Sequence, residues 1–184
     1  MYRIVLSMAL FLSLTVSNVL AQDYYQVISE SSNVFFKVGQ IGIPLVRGRF
    51  SKCAGTILVQ RDKLISFAGT VDMTGLNTGI PARDKDLKSK KFFEVDKFPA
   101  MILKSNRITQ DGDRVTIFNE LTIRDITRPV ILRGTIKRFN DQKISLNVRT
   151  TVNRRDFGLH LNHFLEFLVG NNVGISLQLQ AQKI

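Results

Sequence analysis

Apolar and polar residues alternate along several short segments of this sequence, and this alternation constrains the fold more than any other feature. In residues 143–153 (KISLNVRTTVN) the apolar positions of one parity are Ile144, Leu146, Val148 and Val152. The segment VGISLQLQAQ near the C-terminus repeats the pattern. Because successive side chains of a β-strand point to opposite faces, the alternation predicts strands with one buried and one solvated face.

Further strand candidates are separated by clusters of Gly, Asn and Asp, which favour turns. They span residues 24–30, 33–40, 48–59, 64–73, 101–108, 115–123 and 130–137. The last two are joined by the short link RDITRP and predict a hairpin, in which Pro129 begins a strand or lies on an edge. About eight short strands linked by turns predict one all-β domain, an antiparallel barrel or sandwich.

Residues 78–99 (TGIPARDKDLKSKKFFEVDKFP) do not alternate. Pro81 suits the first turn of a helix, acidic residues follow it, and lysines crowd the far end, as the two ends of a helix prefer. The segment therefore predicts a short helix over 81–88 that lies across one opening of a barrel, with Leu87 pointing inward. Phe92 and Phe93 then follow as the chain returns to the next strand.

The first 21 residues have the organisation of a cleavable secretory signal. Arg3 precedes an apolar run over 4–16, and small residues at Val19 and Ala21 predict a cut after Ala21. The run is shorter than the roughly 20 residues of a membrane span; a retained N-terminal anchor is the alternative. Cleavage predicts an exported protein with a single domain over residues 22–184.

Composition adds two constraints. The one cysteine, Cys53, cannot form a disulfide within the chain, and we interpret it as a small buried apolar group. Lysine and arginine number 26 against 15 aspartates and glutamates, a net charge of +11. An exported protein seldom meets nucleic acid, so this surplus either attracts anionic lipid head groups or acidic envelope polymers, or simply occupies the solvated faces of strands.

Signatures of common enzyme classes are missing from the sequence, which contains no GxSxG, GxxxxGK[ST], GxGxxG or HExxH segment. The two histidines, His160 and His163, could share a helical face, but metal sites use three or four ligands, so a surface or packing role is favoured. Paired carboxylates fall two residues apart on the predicted helix or in a DGD turn, where they do not face each other. We expect no metal, no cofactor and no catalytic residue.

Five basic residues lie on or beside the predicted helix: Arg83, Lys85, Lys88, Lys90 and Lys91. Ammonium groups bind phosphate as point charges, so this cluster could hold a phosphate or pyrophosphate beside the mouth of a barrel. A run of charges on a short exposed helix is also explained by solvation alone. Both interpretations stay open.

Five segments occur in an order and spacing that resemble the YceI-like family. They are SNVFFKVGQIG, VRGRFSKCAGTI, the helix region from NTG through FF to KFP, LTIRDITRPV, and RRDFG with VGNNV. The resemblance covers nearly the whole chain from residue 24 onward. It implies an extended lipocalin-like antiparallel barrel of eight strands, exported to the bacterial periplasm, which holds an isoprenoid or another long-chain lipid and has no established catalytic chemistry.

Some positions depart from the family pattern. Family members often carry histidine where this chain has Ser31 and Asp86, and histidine or a similar residue at Gln40. An aromatic residue is usual at Cys53 and glycine at Asp125. The change at Cys53 could alter the width of the pocket, and the missing histidines affect any polar contact with a head group or quinone ring. The fold is not threatened.

The resemblance and the alternation together define candidate ligand-binding residues. The predicted apolar wall consists of Val34, Phe36, Val38, Ile41, Phe50, Leu87, Phe92, Phe93, Leu103, Leu121 and Ile123. Head-group contacts are predicted at Arg83, Lys88 and Lys91. An ordinary barrel core would bury the same wall residues.

The expected function is that of a non-catalytic periplasmic carrier for an isoprenoid, quinone-like or fatty lipid, acting as a monomer or homodimer with transient contact with an anionic membrane surface. Two alternatives stay open. An envelope interaction module would have a barrel filled by side chains and a basic surface against acidic partners. A small envelope enzyme would need a polar cluster inside the barrel, around His160, His163 and Asp156.

Overall fold

A computed structural model of the chain describes residues 22–40, 46–161 and 169–184. The predicted signal, residues 1–21, lies outside these ranges, as do Ile41 and His163. The strands are β1 Gln22–Val27, β2 Asn33–Gln40, β3 Val46–Phe50, β4 Cys53–Gln60, β5 Lys63–Asp72, β6 Leu76–Asn77, β7 Ala100–Asp111, β8 Arg114–Ile123, β9 Ile126–Asn140, β10 Lys143–Asn153 and β11 Val169–Lys183. The helix α1 spans Pro81–Lys88. No helix within the described ranges is long and apolar enough to cross a bilayer.

The strands form one antiparallel sheet, which closes because β1 pairs with both β4 and β11. Two of the eight strand positions around the barrel are each occupied by two consecutive strands, one by β1 and β2 and the other by β3 and β4. On one side, β1 pairs with the C-terminal part of β11 and β2 with its N-terminal part. On the other side, β1 pairs with β4 and β2 pairs with β3. The eleven strands of the described residues, with β6 as a short addition to β3, thus make a closed eight-stranded antiparallel barrel, which confirms the predicted fold class.

The alternation predicts which side chains point inward. The strand predicted at 143–153 is β10, and its four apolar residues at even-numbered positions are buried. Leu146 and Val148 lie directly opposite Leu179 and Leu177 of β11, so buried residues of neighbouring strands meet in cross-strand pairs. Two adjacent sheet positions therefore contribute to one apolar interior.

Pro129 lies within β9, three residues after the strand begins. It pairs with Glu120 of β8 on one side, whereas the pairing of β9 with β10 begins at Arg133. Proline has no N–H to donate and is tolerated where a strand has a free edge. The predicted hairpin and the edge position of Pro129 are both present, although β9 begins earlier than the sequence suggests.

The helix α1 has the predicted bounds, and polar contacts attach its first turn to the segment that follows β6. The carboxylate of Asp84 accepts hydrogen bonds from the backbone N–H of Thr78, at 2.8 Å, and from the Thr78 hydroxyl. The Arg83 side chain donates to the same hydroxyl at 2.8 Å and to the Thr78 carbonyl at 3.0 Å. These contacts hold the helix at one end of the barrel.

Candidate functional site

The two ends of the barrel interior differ. Toward the end that contains Val115 and Ile144, side chains are buried against one another and fill the interior. Toward the end that carries α1, the inward-facing residues surround a cavity of about 730 Å³. This volume is within the range of small-molecule sites, which are roughly 300–1,000 Å³.

The cavity wall is mostly apolar and comes from strands on all sides of the barrel together with α1 and the segment after it. Ten of the predicted wall residues line it: Val34, Phe36, Val38, Phe50, Leu87, Phe92, Phe93, Leu103, Leu121 and Ile123. The eleventh, Ile41, lies outside the described residues. Sequence reasoning had not singled out further lining residues on β5 and on the last three strands, among them Phe67, Val130, Leu132, Val152, Ile175 and Leu177. The alternation marks most of these as inward-facing, so the signal was present.

The ring of Phe36 lies in the cavity wall because the residue opposite it on the next strand is a glycine. Gly48 lies directly opposite it on β3, and a Cβ atom added to Gly48 would collide with the end of the Phe36 ring. The ring also packs on Phe50, with centroids 5.4 Å apart and planes tilted by 41°. The glycine therefore lets a large ring lie flat over β3.

The aromatic pair after α1 closes part of the same end of the barrel. Phe92 and Phe93 pack edge to face, with ring centroids 4.7 Å apart. Arg124, in the turn between β8 and β9, forms an ion pair with Glu94 at 3.4 Å and donates to the Phe92 carbonyl at 3.4 Å. This residue therefore ties the aromatic segment to the barrel rim, on the wall that Leu121 and Ile123 supply.

Polar groups are concentrated at the mouth, where α1 and the segment after it meet the cavity. Arg83 and Lys91 line the cavity as predicted, together with Asp86, Ser89 and His160. Lys88 is not among the lining residues. Arg83, Asp86 and Leu87 share one face of α1 because residues three and four apart are neighbours on a helix. Lys88 falls beyond that face, near Asp72, whose pKa is lowered mainly by the hydrogen bond from the Thr74 hydroxyl and only slightly by the charge of Lys88.

Arg154 is a wall residue that sequence reasoning missed. Its side chain is only 4% exposed, yet it lines an apolar cavity. It donates to the Leu159 carbonyl at 2.8 Å and to the carbonyls of Val169 and Gly170 at 3.4 Å. It thereby joins the end of β10 to the start of β11 beside the mouth. The RRDFG segment marks the position, but its composition alone gives no sign that the first arginine is buried.

Cys53 also lies in the cavity wall, at the start of β4. It is half-buried, and this burial raises the pKa of its thiol. A raised thiol pKa means a smaller thiolate fraction near neutral pH, which does not favour nucleophilic chemistry.

The residues invoked for the enzyme alternative do not converge in the described part of the chain. His160 is exposed at the mouth, whereas Asp156 is exposed elsewhere and does not line the cavity. Within the described ranges, no group of three or more His, Cys, Asp or Glu residues could hold a metal ion. The cavity has a mostly apolar wall and a polar rim on which Arg83, Asp86, Lys91 and His160 lie.

A closed eight-stranded antiparallel barrel with an apolar interior is the architecture of lipocalin-like proteins, in which the interior is wide enough for one small ligand. The model of the YceI-like domain matches residues 25–181 of the chain. The protein belongs to the YceI-like family, as the sequence motifs predicted.

Relatives and solved structures agree with this assignment. A UPF0312 protein of Pseudomonas fluorescens is 26% identical over 156 residues, 79% of this chain and 81% of that protein. Burkholderia cenocepacia BcnA superposes with a TM-score of 0.76 at 20% identity, over 84% of this chain and 98% of BcnA. A polyisoprenoid binding domain from Saccharophagus degradans superposes with a TM-score of 0.70 at 15% identity, over 90% and 99% of the two chains. At these identities the two structures establish the shared fold.

Proposed function

We propose that this protein is a non-catalytic periplasmic carrier that holds the apolar tail of an isoprenoid or another long-chain amphiphile inside its barrel, as a monomer or homodimer. The observation that carries the proposal is the cavity of about 730 Å³, with its mostly apolar wall and a polar mouth at one end. An amphiphile has the matching division into an apolar tail and a polar head. The fold shared with a polyisoprenoid binding domain supports the same ligand class.

Burial of the tail would supply most of the binding energy. Each CH₂ group removed from water contributes about 0.8 kcal/mol, so ten buried carbons contribute about 8 kcal/mol before the cost of ordering the ligand is subtracted. This term depends on tail length and not on the head group. Selection among a polyprenyl phosphate, a quinone and a fatty acid would therefore rest on the mouth.

Arg83 and Lys91 are the proposed head-group contacts. Both line the cavity at its mouth. Two nitrogens of the Arg83 guanidinium already donate to Thr78, and this fixes the position of its charge. Lys91 is exposed and comes directly before the aromatic pair. A fixed and an adaptable cation beside an apolar chamber suit an anionic or strongly polar head group.

The interaction-module alternative requires a barrel filled throughout by side chains. The half of the barrel near α1 is not filled in this way, and this favours the carrier. Of the residues that the enzyme alternative names, His160 lines the mouth, Asp156 does not line the cavity, and His163 lies outside the described residues.

Paired charge substitutions test the proposal. Phe92→Glu places a carboxylate on the cavity wall, whereas Phe139→Glu makes the same change on a side chain that is 62% exposed on β9. We expect Phe92→Glu to weaken uptake of a fluorescent long-chain isoprenoid at least tenfold, because a charge opposes burial of the tail. Phe139→Glu should bind like the unsubstituted protein.

The readout is a fluorescence titration, with circular dichroism to verify that both variants are folded. Equal affinities of the two folded variants would show that the tail does not lie against Phe92. Absence of uptake by the unsubstituted protein would contradict the carrier function itself.

A further inference from the structure

A set of basic residues on the outside of the barrel plays no part in the cavity chemistry described above. They border one surface across β2, β3, β9, β10 and β11, here termed the basic face: Lys37, Arg47, Arg49, Arg128, Arg133 and Arg149. One described carboxylate, Asp156, borders the same surface. None of the six cations forms an ion pair with another described residue.

The strand register brings like charges together on this face. Lys37 of β2 lies directly opposite Arg47 of β3, and Arg149 of β10 lies directly opposite Arg133 of β9. Directly opposed like charges destabilise a sheet. The pattern therefore has a cost in the isolated protein that a bound anion would relieve.

The register elsewhere in the barrel shows the opposite arrangement. Lys104 of β7 lies directly opposite Glu120 of β8, and Arg114 of β8 lies directly opposite Asp111 of β7. Opposite charges in such positions stabilise a sheet. The unpaired arrangement is thus a property of the basic face and is not explained by the surplus of basic residues alone.

An aromatic side chain lies among the cations. Phe35 is 37% exposed and is directly opposite Arg49 on β3 and Ser176 on β11. An exposed aromatic ring surrounded by basic residues is typical of surfaces that lie in the head-group region of a bilayer, where the ring enters the apolar boundary and the cations contact phosphates. A soluble acidic polymer would not require the ring.

The position of the basic face relative to the cavity also matters. The Lys37–Arg47 pair is followed along the strands by the pair Val38–Val46, and both valines line the cavity. One side of the basic face therefore reaches the part of the barrel wall that surrounds the ligand chamber.

We infer that the basic face docks the protein on an anionic bilayer, with Phe35 in the head-group region and the arginines on lipid phosphates. The choice of a membrane as the partner rests on the proposed carrier function, since a protein that takes up a lipid tail must meet the membrane that contains it. Docking through this face brings the wall of the ligand chamber close to the lipid surface.

Vesicle co-sedimentation tests this inference. The purified protein should bind vesicles that contain phosphatidylglycerol, should not bind vesicles of phosphatidylcholine alone, and should dissociate as salt is added. Each basic residue near an anionic surface changes the partition coefficient about fivefold. The variant Arg133→Gln/Arg149→Gln should therefore bind about 25-fold more weakly.

The matched control is Lys63→Gln/Lys104→Gln, which removes the same charge from β5 and β7 and should change binding less than threefold. Equal losses in the two variants would mean that only net charge matters, and the assignment to the basic face would be wrong. Binding to polyglutamate without binding to the anionic vesicles would identify a soluble acidic polymer as the partner and overturn the membrane inference.

Uptake of the isoprenoid from detergent micelles, measured without vesicles, separates this inference from the carrier function. The Arg133→Gln/Arg149→Gln variant should retain micelle uptake while it loses vesicle binding. An unsubstituted protein that binds vesicles but takes up no isoprenoid would contradict the carrier function and leave the docking measurement intact. An unsubstituted protein that takes up isoprenoid but ignores anionic vesicles would refute the docking inference alone.

Discussion

Phe36 is part of the cavity wall because Gly48, directly opposite it, leaves room for the ring. Large and small residues in opposite positions are a common means of shaping a barrel interior. Here the arrangement keeps one aromatic ring against the sheet and out of the centre of the chamber. The size of the cavity thus depends on a residue that contributes no side chain to it.

Gly48→Ala should reduce both stability and ligand capacity. The added methyl group displaces the Phe36 ring toward the cavity, and overpacking of this kind costs about 1–3 kcal/mol in the free energy of unfolding. Urea denaturation and an isoprenoid titration measure the two effects. Gly39→Ala is the control, because a Cβ atom at Gly39 meets no atom within 4 Å. Similar behaviour of the two variants would show that Phe36 does not depend on Gly48.

The Cys53 thiol reports on the environment of the cavity wall. Its burial raises its pKa above the ordinary value of about 8.5. The rate of alkylation by iodoacetamide follows the thiolate fraction, so the native protein should show a rate that still rises with pH after the rate of the urea-unfolded protein has levelled off. A native profile with its midpoint at or below that of the unfolded chain would contradict the assigned environment.

At the scale of elements, α1 is held by its first turn. The Asp84 carboxylate accepts two hydrogen bonds from Thr78, and this attaches the helix that supplies Leu87 to the cavity. The segment after the helix then places the aromatic pair, which Arg124 fixes to the rim. The α1 end of the chamber is therefore held together by local contacts between short elements.

Asp84→Ala should loosen this end of the barrel. Each of the two lost hydrogen bonds to this charged acceptor contributes about 1.5–3 kcal/mol, less where water replaces the acceptor. Amide hydrogen exchange in residues 78–88 should accelerate more than exchange in β10. Asp96→Ala, at an exposed position after the aromatic pair, is the control. Unchanged protection in Asp84→Ala would show that the Thr78 contacts do not hold the helix.

The elements that the sequence predicted well are those with a single unbroken pattern. β2, α1 and β10 have the predicted bounds because alternation or end preferences persist over their whole length. The segment predicted as one strand over 48–59 is instead β3 and β4, with a break at Ser51–Lys52. The inward positions change there from even numbers, such as Phe50, to odd numbers, such as Ile57, and this change in parity is visible in the sequence.

The wall residues of the candidate site that lie on strands could be predicted, because alternation along a strand identifies the face that points inward. The alternation placed Val34, Phe36 and Leu121 on inward faces, and every inward-facing residue of an eight-stranded barrel meets the interior. It could not show that side chains fill one half of that interior and not the other, since this depends on how strands from distant parts of the chain pack against one another. The burial of Arg154 was hidden for the same reason, because its partners are the Leu159 carbonyl after β10 and the Val169 and Gly170 carbonyls at the start of β11.

In the whole molecule, one half of the barrel is filled by side chains and contributes mainly to stability, whereas the half near α1 is open and is available for a ligand. The filled half contains much of the packed apolar core, including Ile117, Ile144 and Leu146. The open half has fewer contacts across its centre, and a bound tail would supply them. A protein that binds its ligand in the folded state only is stabilised by that ligand, so ligand occupancy and thermal stability should rise together.

The presence of a lipid in the purified protein is the most direct test of the account. The protein is expressed with its full N-terminal sequence, isolated without detergent, and analysed by native mass spectrometry before and after organic extraction. We predict a bound species at one molecule per barrel, which the solvent releases as a long-chain isoprenoid or related lipid and which leaves a less thermally stable protein. An empty barrel that also takes up no added long-chain isoprenoid or fatty acid would contradict the carrier function.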